Sequence, residues 1–228
     1  MAHNEYTETF DTLLKDTIPE TPGIIRTLAL RELRLAAREF FEKTFTWTKI
    51  VDDIDGPEGR TDIIVDDSDS NTKVIAVLGV TFGDTTATRG GQLVPLGQRP
   101  ALDQIADGSP RNFFITSAPD HFQIYPYLKF AKTNFLDVTI AVMPSFTATA
   151  LPRQVTDLYY NAIIDGYLAR VYSQPNKPYS APLLAGQHRT AFLTAIGFYM
   201  AKRKQGFNNS QQWIFPGGWQ VQRLGGNG

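Results

Sequence analysis

Three histidines are the residues best suited to proton transfer near neutral pH: His3, His121 and His188. His121 stands beside Asp120 in "APDHFQIY", and His188 lies in "LLAGQHRTAFLTAIGFYMAKRK". Paired with one of the 23 acidic residues, either would serve a small hydrolase as its general base. The rest of such a machine is not spelled out, because the sequence has no G-x-S-x-G elbow and no H-E-x-x-H helix. His188 falls on an apolar stripe at helical spacing, where a neutral imidazole bonds a backbone carbonyl, so it reads as a core or interface residue. His121, at a strand start, reads as structural. "DDIDG" lacks the spacing and closing glutamate of a calcium loop. It and "DDSDSN" read as solvated turns. "TRGGQ" lacks the lysine and following hydroxyl residue of a phosphate loop. No cysteine is present, which excludes disulfides and thiolate metal sites. The residues therefore assign no catalytic group, no cofactor and no metal.

Those side chains sit on a chain of 228 residues, 42% hydrophobic and 20% charged, with a formal net charge of −1. That balance fits a globular protein with a real core and gives no bulk attraction to nucleic acid. No stretch approaches the roughly 20 apolar residues of a membrane span, and the N-terminal stretch has no apolar signal core. A short helix is expected over residues 6–17. Thr21 and Pro22 are expected to open a long one from Gly23 to Phe45, with Arg38–Glu42 and Glu39–Lys43 paired four apart. From about 47 to 146 the pattern turns to short β-branched segments separated by turn residues. Residues 99–110 are expected to hold a helical turn or two. Two helices follow. The first puts Val155, Leu158, Tyr159, Ala162, Ile163, Gly166 and Ala169 on one face, and the second does the same with Leu184, His188, Ala191, Phe192, Ala195, Ile196 and Tyr199. The fold class is α+β: a helical bundle from residues 1–46 and 147–205, an inserted β-rich module over 47–146, and an extended arm over 206–228.

Two features point to partners rather than to chemistry. Arg31, Arg34 and Arg38 recur at i, i+3 and i+7, which makes either a solvated face or an interface stripe for an acidic partner. The last segment, "GFNNSQQWIFPGGWQVQRLGGNG", is polar and glycine-rich yet carries Trp213, Ile214, Phe215 and Trp219. Large aromatics in such an arm either fold back on the core or anchor in another chain. The second reading assigns these four residues to a contact with another chain.

"LLKDTIPETPGIIRTLALRELRLAAREFFEKTFTW" resembles the N-terminal part of the head-to-tail adaptor (connector) proteins of short-tailed bacteriophages. "LDVTIAVMPSFTATALPRQVTDLYYNAIIDGYLARVYSQPNKPYSAPLLAGQHRTAFLTAIGFYMAKRK" is similar to their C-terminal part. The resemblance implies a ring of twelve copies between portal and tail nozzle, in some members seating tail fibres, with genomic DNA passing through its lumen. It implies a virion protein made in the host cytoplasm, without catalysis, cofactor or membrane insertion. The alternatives are another tail or baseplate component, or a small hydrolase using His121 or His188. DNA that must slide through a lumen should not stick to it. Duplex binding is therefore predicted to be weak and salt-sensitive, and sub-micromolar affinity at physiological salt would contradict this.

Overall fold

A computed structural model describes residues 7–15, 17–84, 87–97, 105–106 and 110–204. Residues 206–228, and His3 with the N-terminal end, lie outside them. In chain order the elements are β1 (Thr7–Thr9), α1 (Phe10–Lys15), a 3₁₀ turn (Ile18–Glu20), α2 (Arg26–Thr44), β2 (Thr48–Gly56), β3 (Ile63–Ile64), β4 (Thr72–Asp84), β5 (Ala87–Gln92), β6 (Val94–Pro95), β7 (Ile105–Ala106), β8 (Asn112–Ile115), β9 (His121–Tyr125), β10 (Tyr127–Leu128), β11 (Lys132–Pro144), β12 (Ala150–Pro152), α3 (Arg153–Tyr172) and α4 (Pro182–Lys204). The fold is α+β.

The larger sheet runs β2-β11-β4-β5 and is antiparallel. β11 is its spine. Leu136, Val138, Ile140, Ala141, Val142 and Met143 are all buried, a nearly continuous run rather than an alternating one, as expected of a strand covered on both faces. α2 covers β11, and α3 and α4 pack on α2 and on each other. A second sheet, β3-β9-β8-β6, closes on Phe113, Phe122 and Ile124. Two short pairs complete the fold: β1 with β12, antiparallel, and β7 with β10, parallel.

Several expectations are corrected. Residues 7–9 form a strand, because β12 offers them a partner, and α1 begins only after Thr9, whose hydroxyl accepts the Thr12 N–H at 3.2 Å. Thr21 does not cap α2. It closes the 3₁₀ turn, is buried, and gives its hydroxyl to the Thr17 carbonyl. Gly23 at φ +82° breaks the chain there, and α2 starts at Arg26 behind Ile25, which has no capping side chain. Of residues 99–110, where a helical turn or two was expected, Ile105 and Ala106 pair in parallel with Tyr127 and Leu128 as a strand, and 99–104 and 107–109 lie outside the described residues. The "DDSDSN" run is more than a solvated turn. The Lys49 ammonium bonds Asp67 at 3.0 Å and Asp69 at 2.9 Å, and Thr72 donates to Asp67, which ties β2 to the entry of β4.

The helices meet around aromatics. The Phe40 ring lies 5.3 Å from Tyr159, 5.7 Å from Tyr199 and 6.4 Å from Phe192, and Phe41 meets Trp47 edge-on at 5.5 Å. Such pairs add about 0.5–1.5 kcal/mol each beyond burial. Gly166 makes the approach of α4 to α3 possible, since a Cβ there would lie 2.7 Å from the Phe192 ring. That ring is fully buried and has nowhere to retreat. Gly166→Val is predicted to destabilise the protein by about 3 kcal/mol through overpacking, seen as a lower denaturation midpoint. An unchanged midpoint would show that α4 yields.

Candidate functional site

The histidines are placed apart. His121 opens β9 in the small sheet, with its Nδ1 2.7 Å from the Asp120 carboxylate. His188 lies in the second turn of α4, and its Nδ1 meets Asp165 of α3 at 2.8 Å. The Tyr172 ring is 5.7 Å away. Both pairs are partly exposed. Among the described residues neither imidazole has a hydroxyl as a hydrogen-bond partner, and each is paired with a carboxylate. His188–Asp165 joins two helices, a packing arrangement at the edge of the α3–α4 contact. Among the described residues no three His, Asp or Glu side chains converge as a metal site, and no helix is long and apolar enough to cross a membrane.

The three arginines of α2 do not share one environment. Arg31 is exposed. Arg34 is half-buried, with its guanidinium 5.8 Å from the Phe10 ring centre and its Nε enclosed without a partner. Arg38 is buried, donates to the Pro144 carbonyl at 2.5 Å and lies 3.7 Å over the Phe146 ring. Burial pushes its pKa down, and the neighbouring Glu42 charge pushes the other way. Arg38 thus pins α2 to the end of β11.

The residue after it carries a network that sequence reasoning reduced to one pair. Glu39 accepts from Lys43 of its own helix at 3.0 Å, from Arg170 of α3 at 2.7 Å, and from both terminal nitrogens of Arg189 of α4 at 3.2 and 2.8 Å. Lys43 was legible as the i+4 partner, whereas Arg170 and Arg189 arrive only through helix packing. Burial alone would raise the Glu39 carboxyl. The bonds from Arg189, Lys43 and Arg170 outweigh it and hold the group at about 2.

On the other side of the α3–α4 contact lies an open groove of about 1140 Å³. Ala162, Ala191 and Ala195 form part of its lining, with Leu158, Leu183 and Phe198 standing at 64%, 78% and 57% exposure. Leu158, Leu184 and Ala191, members of the apolar helix faces read from the sequence, are exposed here. The reason is position: α4 lies at the edge of the bundle and buries only Ala185, Phe192 and Ile196. Trp213, Ile214, Phe215 and Trp219 lie outside the described residues.

The model of the SU10 adaptor protein family matches residues 5–213. The chain belongs to that family. It is therefore a phage adaptor protein, in agreement with the resemblance read from the two ends of the sequence. The match runs from the N-terminal segment through both sheets and past α4. The chain has no match among the curated proteins.

The Glu39 network in this adaptor protein has a measurable pH signature. A carboxyl held at about 2, below its ordinary 4.5, gives stability that is complete above pH 4.5 and is lost as the pH falls from there toward 2. Discounted for solvent screening, this is about 2 kcal/mol at neutral pH. Glu39→Gln should be less stable than the parent by that amount at pH 7, and the gap should close between pH 4.5 and 2. A gap constant across that range would show that the network contributes nothing through its charge.

Proposed function

We propose that this adaptor protein forms a ring, a dodecamer by family resemblance, that joins the portal to the tail nozzle and surrounds the path of the genomic DNA. The observation that carries the reading is the family match over residues 5–213. The placement of the ionisable groups supports it. The carboxylates and guanidiniums at the helix contacts bond one another, and the apolar groove faces outward. Both suit a part built to be assembled. In this reading the protein is non-enzymatic, takes no cofactor and resides in the virion at the head–tail junction, with tail fibres as a further neighbour. The partition into a helical body, the β-rich module over 47–146 and the arm over 206–228 belongs to the same proposal. So do the partner contacts of Trp213, Ile214, Phe215 and Trp219, and an outer contact at the α2 stripe. Arg31 is the exposed member of that stripe, while Arg34 and Arg38 serve within the body.

The test mixes the purified chain with its portal and images the product by negative stain. A ring of adaptor density under the portal is the expected result. Deleting residues from 206 onward should leave the body folded and remove attachment. Normal attachment of the truncated chain would take the anchoring role away from the arm. Hydrolysis of peptidoglycan, esters or nucleotides that disappears in His121→Ala or His188→Ala would replace the adaptor reading with the enzymatic one.

A further inference from the structure

We propose that in the free protein the α3–α4 groove is occupied by the segment around Trp213–Trp219 of the same chain. The groove's lining explains why that segment fits. Leu158, Leu183 and Phe198 stand over small residues, which leaves room for flat rings between them. Asp165 is the one charged residue of the lining, and His188 already bonds it. Residues 205–222, "QGFNNSQQWIFPGGWQVQ", contain no charged side chain. Docking therefore strips water from no unpaired ion, the cost that most opposes burial in an apolar slot. The two tryptophans and Phe215 supply the apolar area that such a slot rewards.

Origin and reach single out the same chain as the source. α4 ends at Lys204, one to two turns beyond Phe198 at the end of the groove. From Lys204 back to Ala195 and Ala191 is roughly 14–20 Å along the helix. The residues between Lys204 and Trp213 can span up to about 26 Å. Gly206, Asn208 and Asn209 are residue types that reverse a chain. A tether this short holds the rings near the groove at an effective concentration on the order of millimolar. A second copy at ordinary protein concentrations cannot match that. The groove then shields, before assembly, the same aromatics that a portal or neighbouring subunit would take up, and any such partner must compete with it. The inference does not rest on the adaptor reading.

The chain carries three tryptophans, of which Trp47 is buried in the core. Subtracting the emission of the Trp213→Phe/Trp219→Phe variant isolates the two in question. Their emission should be blue-shifted and protected from acrylamide, equally at all protein concentrations. Ala191→Glu and Leu183→Glu, both at exposed positions, should shift it to the red and abolish the protection. Circular dichroism establishes that these variants are folded, and either suffices if the other is not. Tryptophans fully accessible in the parent would overturn the proposal. So would protection that survives both groove variants, which would place the segment elsewhere. Protection that grows with concentration would assign the groove to another copy and overturn it as well. None of these outcomes involves a virion partner, so each leaves the portal experiment to stand or fall alone.

Discussion

The position of α4 hangs on one contact, the Phe192 ring filling the space that Gly166 leaves on α3. α4 buries little else, with Ala185 and Ile196 on either side of that ring. Once Phe192 is seated, the rest of the contact follows from helical geometry. His188 and Arg189 lie about one turn earlier, which brings them to Asp165 and to Glu39. Tyr199, two turns later, reaches the Leu158 carbonyl at 3.1 Å and the Phe40 and Tyr159 rings. Any side chain at residue 166 moves α4 outward and loosens all of these together.

Glu39 converts that packing into specificity. Glu39 is largely enclosed, so its network contributes more than the roughly 0–1 kcal/mol typical of an exposed ion pair, although several cations around one carboxylate are not simply additive. The network also decides register. Bidentate Arg189 and single-bonded Arg170 can both reach Glu39 only when α2, α3 and α4 hold their present alignment. A slide of one turn in any helix leaves a partly buried carboxylate with fewer partners, and its desolvation then opposes folding. Apolar packing around Phe40 tolerates small shifts, whereas the charged contacts do not.

What could be read from the sequence was what depends on local pattern. The α+β class, the long second helix, the β character of the middle of the chain and the two C-terminal helices all carry their own periodicity. The misplaced features depend on partners distant in sequence. Thr7–Thr9 is a strand because of Ala150–Pro152. Thr21 turns inward toward Thr17 and the Tyr167 hydroxyl instead of capping α2. Arg38, on a stripe that reads as solvated, finds the Pro144 carbonyl and the Phe146 ring. The Glu39 network and the groove were hidden by the same limit, since helical periodicity says which residues share a face but not what that face meets.

That limit bears on how the outer face is understood. Leu158, Leu183, Leu193 and Phe198 stand exposed on a helix pair whose stripe would elsewhere mark a core. Asn161, Gln187, Thr190 and Thr194 are interleaved with them along the groove. Thr190 and Thr194 return their hydroxyls to the carbonyls one turn back, which lets them sit in apolar surroundings without an unpaired donor. Such a surface tolerates water and still gains from being covered, a combination that a fully apolar stripe or a charged one lacks. The edge position of α4, set by a single ring in a glycine notch, is what leaves that surface open.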